Sequence, residues 1–196
     1  MKKTTLLMSL FVMLVAFAFT TATVDFKIDK QKSKLTWVGK KVTGEHTGNI
    51  KISDGKFTTN GKTVTGGSFD IDMNSITCTD LTDAGYNEKL VGHLKADDFF
   101  GTDKYPKSTF VISKITNTAK DQYNVKGNLT IKGITKEVEF PATIQVVGNQ
   151  VKAKAKIVVD RTKYEIKYGS VSFFDGLGDK AISDEFELNV DLVANK

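Results

Sequence analysis

Cysteine, arginine, histidine, tryptophan and proline are all scarce in this chain of 196 residues. Cys78 stands alone, so an intramolecular disulfide is excluded and packing must hold the fold together. A lone thiol with no activating motif beside it reads as a small hydrophobe rather than a nucleophile. Among 28 basic residues only Arg161 is an arginine, and the lysines are spread evenly. Lysine is a strongly hydrated point charge, whereas planar guanidinium reads phosphates and base edges, so this composition excludes a nucleic-acid partner. The only two prolines are Pro106 and Pro141, and one long apolar run, Leu6 to Phe19, lies near the start.

That run follows Lys2 and Lys3 and leads into small residues around Ala18 and Ala22, the three-part pattern of a secretory signal. It is shorter than the roughly 20 apolar residues that carry a helix across a bilayer. The expectation is a cleaved signal over residues 1–22, a mature start between Phe19 and Val24, and a periplasmic or secreted protein. No cysteine closely follows the run, which argues against a lipid-modified terminus. Residues 25–194 are read as one domain.

Beyond the run, apolar and polar residues alternate, the period of half-buried strands. The clearest stretches are "YNVKGNLTIKG", "EVEFPATIQV", "QVKAKAKIVVD" and "DEFELNVDLV"; "KLTWVGK", "GNIKISDG", "GGSFDIDM" and "STFVISKI" repeat the pattern more loosely. Turn signals at Ser53–Gly55, Asn60–Gly61, Lys132–Gly133 and Gly148–Asn149 imply hairpins and an antiparallel sheet. Pro141, at a polar position within a strand pattern, marks an edge or a bulge. Eight or so amphipathic strands must stack or close to bury one face each, and long hairpin-linked strands favour closure, which removes their edges. The expected fold is therefore all-β, an up-and-down antiparallel barrel of about eight strands. Inward alanines such as Ala153 and Ala155 beside Phe140 and Phe186 fit either interlocked packing or a channel, and periodicity does not choose. An outer-membrane barrel would show the same alternation reversed, with aromatic girdles and no helix among its spanning segments.

A helix is expected here. In "KLVGHLKADDFF" the alternation stops, and Tyr86, Leu90, His93 and Leu94 share one face at 3.6 residues per turn, so a short helix over about residues 86–95 should cap or flank the barrel. Asp97 and Asp98 mark its exit, with Phe99 and Phe100 at the opening. Two histidines with Asp97, Asp98 or Glu45 form no metal-ligand spacing, and Cys78 with His93 forms no recognisable nucleophilic pair. His93 reads instead as a buried hydrogen-bonder tying the helix to the wall. Arg161 pairs with Asp160 or Asp184 at the rim, or clamps a ligand oxygen. Glycine-rich Thr162–Ser183 is a candidate mobile lid.

The segment "KLVGHLKADDFFGTDKYPKSTF" resembles the signature of the YceI-like family of exported lipid-binding proteins, with its "HL", "DFF", "YP" and "TF" groups at this spacing. "IDKQKSKLTWVGKKVTGEHTGNI", "GGSFDIDMNSI", "GNLTIKGITKEVEFP", "VVDRTKYEIKYG" and "DEFELNVDLVA" agree in order, so the resemblance covers about Phe26 to Ala194. Near the start the family's "HSxIxFxVxH" pattern is altered: Ser33 is kept, Trp37 takes the aromatic position and His46 lies downstream. The resemblance implies a lipocalin-like barrel enclosing a polyisoprenoid chain.

The combined expectation is a non-enzymatic carrier of a polyprenyl or isoprenoid-quinone tail, needing no cofactor and no metal. It would be a monomer or homodimer with transient membrane or partner-protein contacts. The expected apolar wall runs through Leu35, Trp37, Ile50, Phe69 and Ile71, then Leu90, Leu94, Phe99, Phe100 and Phe110, then Val125, Leu129, Phe140, Ile144, Val159, Phe186 and Leu188. His93, Arg161 and Tyr164 are the expected headgroup residues at the rim. The alternatives are a lipid-processing enzyme using His93 and nearby acids, and a stress-response or adhesion module with a filled barrel.

Overall fold

The computed structural model describes residues 22–196, so all of the expected signal segment except Ala22 lies outside the described residues. Among the described residues the strands run β1 (Val24–Ile28), β2 (Lys34–Lys41), β3 (Gly44–Thr59), β4 (Val64–Asp72), β5 (Lys107–Ala119), β6 (Gln122–Ile131), β7 (Ile134–Val147), β8 (Gln150–Asp160) and β9 (Ile182–Asn195). One helix, α1 (Ala84–Lys95), interrupts them between β4 and β5. From β2 to β9 each strand pairs antiparallel with the next, and β9 returns to β2 through pairs such as Trp37 with Leu188. The barrel is closed and up-and-down. β1 shares the slot of β2 between β3 and β9, pairing Phe26 with Phe57 and Ile28 with Ala194. Eight staves therefore close the wall, one of them broken at Asp29–Ser33. Every stave has a core-facing side, and closure leaves no strand with a wholly free edge, although the β7–β8 ladder runs only from Ala142–Ala155 to Val147–Gln150.

Local chemistry explains most turns. Lys132 and Gly133, at φ 50° and 74°, make the tight turn between β6 and β7 whose two positive φ values match the twist of the flanking strands. Asn60–Gly61 and Gly148–Asn149 also turn the chain as expected. Ser53–Gly55 does not. It lies inside β3, where the pairing to β4 slips between Ile52 and Asp54. A strand of 16 residues must bend to wrap the barrel, and a bulge supplies that bend without ending the strand. Pro141 is exposed, and the ladder to β8 starts one residue later, at Ala142 with Ala155. With no N–H to donate, proline sits where pairing to β8 has stopped, while Asn124 of β6 stays opposite it.

The excursion from Met73 to Pro106 is closed at its base by the Met73 N–H donating to Pro106 O at 2.9 Å. α1 starts at Asp83, whose side chain accepts from the Tyr86 N–H, so the helix begins two residues earlier than expected. Its inner face also differs. Leu94 is buried, Leu90 and Val91 pack against the core, and Tyr86 is 66% exposed. At the first turn Asn87 faces inward instead, its amide donating to Cys78 O and Leu81 O at 3.1 and 2.9 Å. The polar residue wins that position because it satisfies two carbonyls of the incoming loop that Tyr86 does not reach.

Candidate functional site

The barrel encloses a cavity of about 190 Å³. All eight staves contribute to its wall: Leu35 and Trp37 from β2, Ile50, Ile52 and Phe57 from β3, Phe69 and Ile71 from β4, and Phe110 and Ile112 from β5. Val125, Leu129 and Ile131 follow from β6, then Phe140 and Ile144 from β7, Ile157 from β8, and Phe186, Leu188 and Leu192 from β9. An aromatic belt runs through it, with ring centroids 5.0 Å apart for Phe57 and Phe69, 6.4 Å for Phe69 and Phe110, and 5.6 Å for Phe110 and Phe140. Gly127 makes room for that belt. A Cβ there would stand 2.5 Å from the Phe110 ring, which explains the gap in the inward pattern of β6. Along the β7–β8 seam three of the inward residues are alanines. Ala142 pairs with Ala155 and Ile144 with Ala153, so the facing side chains do not fill the space. The interior is a channel, the reading that periodicity left open.

Leu94, Phe99 and Phe100 close the end beneath α1, with Phe100 in edge contact with Phe186 at 6.1 Å. Met73 and Ile76 join them from the loop after β4, where no strand or helix period exists to reveal them. Trp37 is fixed by its indole N–H donating to Thr77 O at 3.0 Å. Gly48 permits that approach, since a Cβ at its position would lie 1.7 Å from the same oxygen.

Some expected residues lie elsewhere. Leu90 packs on the barrel from outside the cavity, and Val159 is buried beside it without lining it. His93 is not buried. Its side chain is 32% exposed, and its ring meets Tyr168 and Phe99 edge-on at 4.3 and 5.5 Å, with Nε2 3.5 Å from Asp98. It sits one residue before the buried Leu94, about 100° round the helix, which turns it toward the Tyr168 loop and away from the wall. Tyr164 is not at a rim either. It is 1% exposed, lines no part of the cavity, and its hydroxyl has no protein partner. Burial, aided by Asp160, pushes that phenol up to about 12.

Arg161 lies inside rather than at the edge, 1% exposed. Its Nε donates to Ser183 O at 2.9 Å, Nη1 to Ile166 O at 2.7 Å and Nη2 to Ile182 O at 3.1 Å. Asp184 lies 3.6 Å from Nη2, and the guanidinium faces the Phe99 ring at 5.7 Å. Burial lowers its pKa against the pull of Asp184 and Asp160. The loop expected to be a lid is thus tied by one side chain at both ends. Between the ties, Val171, Phe173 and Phe174 are exposed.

Outside the cavity, His46 Nδ1 meets Asp80 at 2.8 Å, and Asp80 also accepts from the Thr47 N–H at 2.8 Å and the Cys78 thiol at 3.3 Å. Burial opposes the Asp80 carboxylate, but these three donors outweigh it and hold its pKa down at about 2. The cluster anchors the loop before α1 to β3. No group of three or more His, Cys, Asp or Glu side chains placed to hold a metal occurs among the described residues.

The chain is similar to a UPF0312 protein of Staphylococcus aureus strain USA300, 40% identical over 89 residues, which are 42% of this chain and 47% of that relative. It thus spans about half the length of the first curated relatives it matches. Similarity to the protein YceI of Escherichia coli O6:H1 is 29% over 148 residues, 72% of this chain and 73% of that one. Among solved structures, BcnA of Burkholderia cenocepacia superposes with a TM-score of 0.64 at 26% identity, covering 86% of this chain and 99% of BcnA. A polyisoprenoid binding domain from Saccharophagus degradans gives a TM-score of 0.66 at 16% identity over 87% of this chain and 97% of that domain, a likeness of fold. The model of the YceI-like domain matches residues 26–194, nearly every described residue, and the chain belongs to the YceI-like family.

Proposed function

We propose that the protein is an exported, non-enzymatic carrier that holds the apolar tail of an isoprenoid-type lipid in the barrel. The cavity carries this reading. Protein interiors rarely keep voids larger than a water molecule. At roughly 24 cal/mol per Å³, leaving about 190 Å³ of apolar space unfilled costs on the order of 4 to 5 kcal/mol. A tail supplies the missing contacts. At about 25 cal/mol per Å² a chain hiding about 400 Å² gains on the order of 10 kcal/mol before ordering costs, enough for tight binding by apolar contact alone.

Family membership, together with the shared fold of the polyisoprenoid binding domain from Saccharophagus degradans, supports an isoprenoid over another apolar guest. The cavity weighs against a filled-barrel module. His93 does not line it, so the lipid-processing alternative lacks the group on which it depends. Exchange of an insoluble guest needs contact with a membrane or partner protein, and exposed Val171, Phe173 and Phe174 suit such a transient encounter. The test is mass spectrometry of an organic extract from purified mature protein, expected to show a stoichiometric isoprenoid lipid. Extracts free of lipid after expression in the native compartment would refute the carrier reading.

A further inference from the structure

One seam of the barrel is unzipped along part of its length. The β7–β8 ladder holds from Val147–Gln150 to Ala142–Ala155, and Ile134–Pro141 and Lys156–Asp160 lie beyond its end. On their other sides both strands stay paired, β7 to β6 as far as Ile131–Ile134 and β8 to β9 as far as Asp160–Glu185. The break is therefore a slit between two intact strand pairs and not a frayed end.

Proline explains where the slit starts. In an antiparallel ladder every second pair exchanges both backbone bonds, and a two-residue turn is closed by such a pair. Counting from Val147–Gln150, the pairs Gln145–Lys152 and Thr143–Lys154 follow, and Pro141 would come next, opposite Lys156. It has no N–H to give, and the ladder ends.

The wall is thin at this point. Ala142, Ala153 and Ala155 line the channel, and Ala142, Lys154, Ala155 and Val190 line both the channel and a groove on the outer surface beside Pro141. The Arg161–Tyr164 turn packs on β7 and bounds the slit at its far end. The other way in, beneath the Ile166–Ser183 loop, is filled by Leu94, Phe99 and Phe100, and Arg161 holds that loop down. Widening the slit breaks no ladder bond, whereas parting any fully zipped seam gives up several.

We infer that the slit between β7 and β8 is a side portal through which the tail of an apolar guest enters and leaves the channel. This inference rests on the carrier reading and adds the route.

Trp37, the chain's one tryptophan, lines the channel, so energy transfer from it to all-trans-retinol, a fluorescent isoprenoid, reports loading. Stopped-flow mixing gives the entry rate, and transfer from loaded protein to excess phosphatidylcholine vesicles gives the release rate. Pro141→Val returns the missing N–H. Glu139→Cys with Val158→Cys puts a thiol on each exposed edge of the slit for a short bismaleimide to bridge, while Cys78 is buried. None of Pro141, Glu139 and Val158 lines the channel, so neither closure should change the equilibrium affinity. Pro141→Val should slow entry and release alike by about fivefold, the worth of one net backbone hydrogen bond, and the covalent bridge should slow both further. A matching bridge from Val42→Cys to Lys180→Cys pins the loop where the Val42 N–H donates to Ala181 O at 3.3 Å, and should leave both rates unchanged. Wild-type rates after either closure of the slit, or slowing by the loop bridge, would overturn the portal while leaving the carrier intact. Retinol that neither binds nor accepts energy from Trp37 overturns both readings.

Discussion

Replacing Arg161 with methionine keeps much of its aliphatic volume and removes the fork that holds the Ile166–Ser183 loop. The Ile166 carbonyl lies in a buried bond and loses its charge-assisted donor, 2.7 Å away, while the Ile182 and Ser183 carbonyls are part-buried. Leaving the first unsatisfied costs about 1 to 3 kcal/mol, and the other two, which water reaches, about 1 kcal/mol each. Relief from burying a guanidinium offsets part of this. A net loss of about 3 kcal/mol follows, or roughly 6 to 12 °C in Tm for a domain of this size. Arg161→Lys, with one point donor in place of a fork, should recover about a third. Differential scanning calorimetry measures the loss, and limited proteolysis within 167–181 reports release of the loop. If Arg161→Met melts within about 2 °C of wild type and the loop resists protease equally, the idea that one buried guanidinium ties both loop ends is wrong.

Ala155→Phe fills part of the cavity beside Ala142; bound lipid in the extract should fall several-fold while stability drops by no more than about 1 to 3 kcal/mol, and undiminished lipid would refute the channel as its site. His93→Ala removes two edge-on ring contacts and should cost about 1 kcal/mol in chemical denaturation, and His93→Gln should recover nothing because no buried hydrogen bond is lost. Recovery by glutamine would mean that His93 has a buried partner after all. Asp80 titrates lower when folded, near 2, than when unfolded, so wild type should exceed Asp80→Asn in stability above about pH 4 and lose that advantage as pH falls through about 2. Solvent screening at this partly exposed site limits the difference to about 1 kcal/mol, read from urea midpoints across that range, and a pH-independent difference would contradict the linkage.

Alternation with period two is a local property. It is therefore enough to assign Leu129, Phe140, Ile144 and Phe186 to the inside, Lys152, Lys154 and Lys156 to the outside, and a closed antiparallel wall to the whole. The same logic covers wall residues such as Ile52, Ile131 and Val190, which the pattern contains although no motif singles them out. The order of motifs around "HL", "DFF" and "YP" is legible without coordinates as well. The tertiary structure decided what depends on contacts between distant segments. A helical period places Tyr86, Leu90, His93 and Leu94 on one arc, but only docking on the barrel determined that Asn87 and Val91 join Leu90 and Leu94 on the inward part and that His93 meets Tyr168. By sequence Arg161 could grip an acid at the rim or a ligand; the three carbonyls that claim it come from residues five to 22 positions along the chain, and only folding brings them to its fork. The room inside follows from Ala142 facing Ala155 across one seam while a belt of phenylalanines stacks across others, and that register exists only once the strands pair.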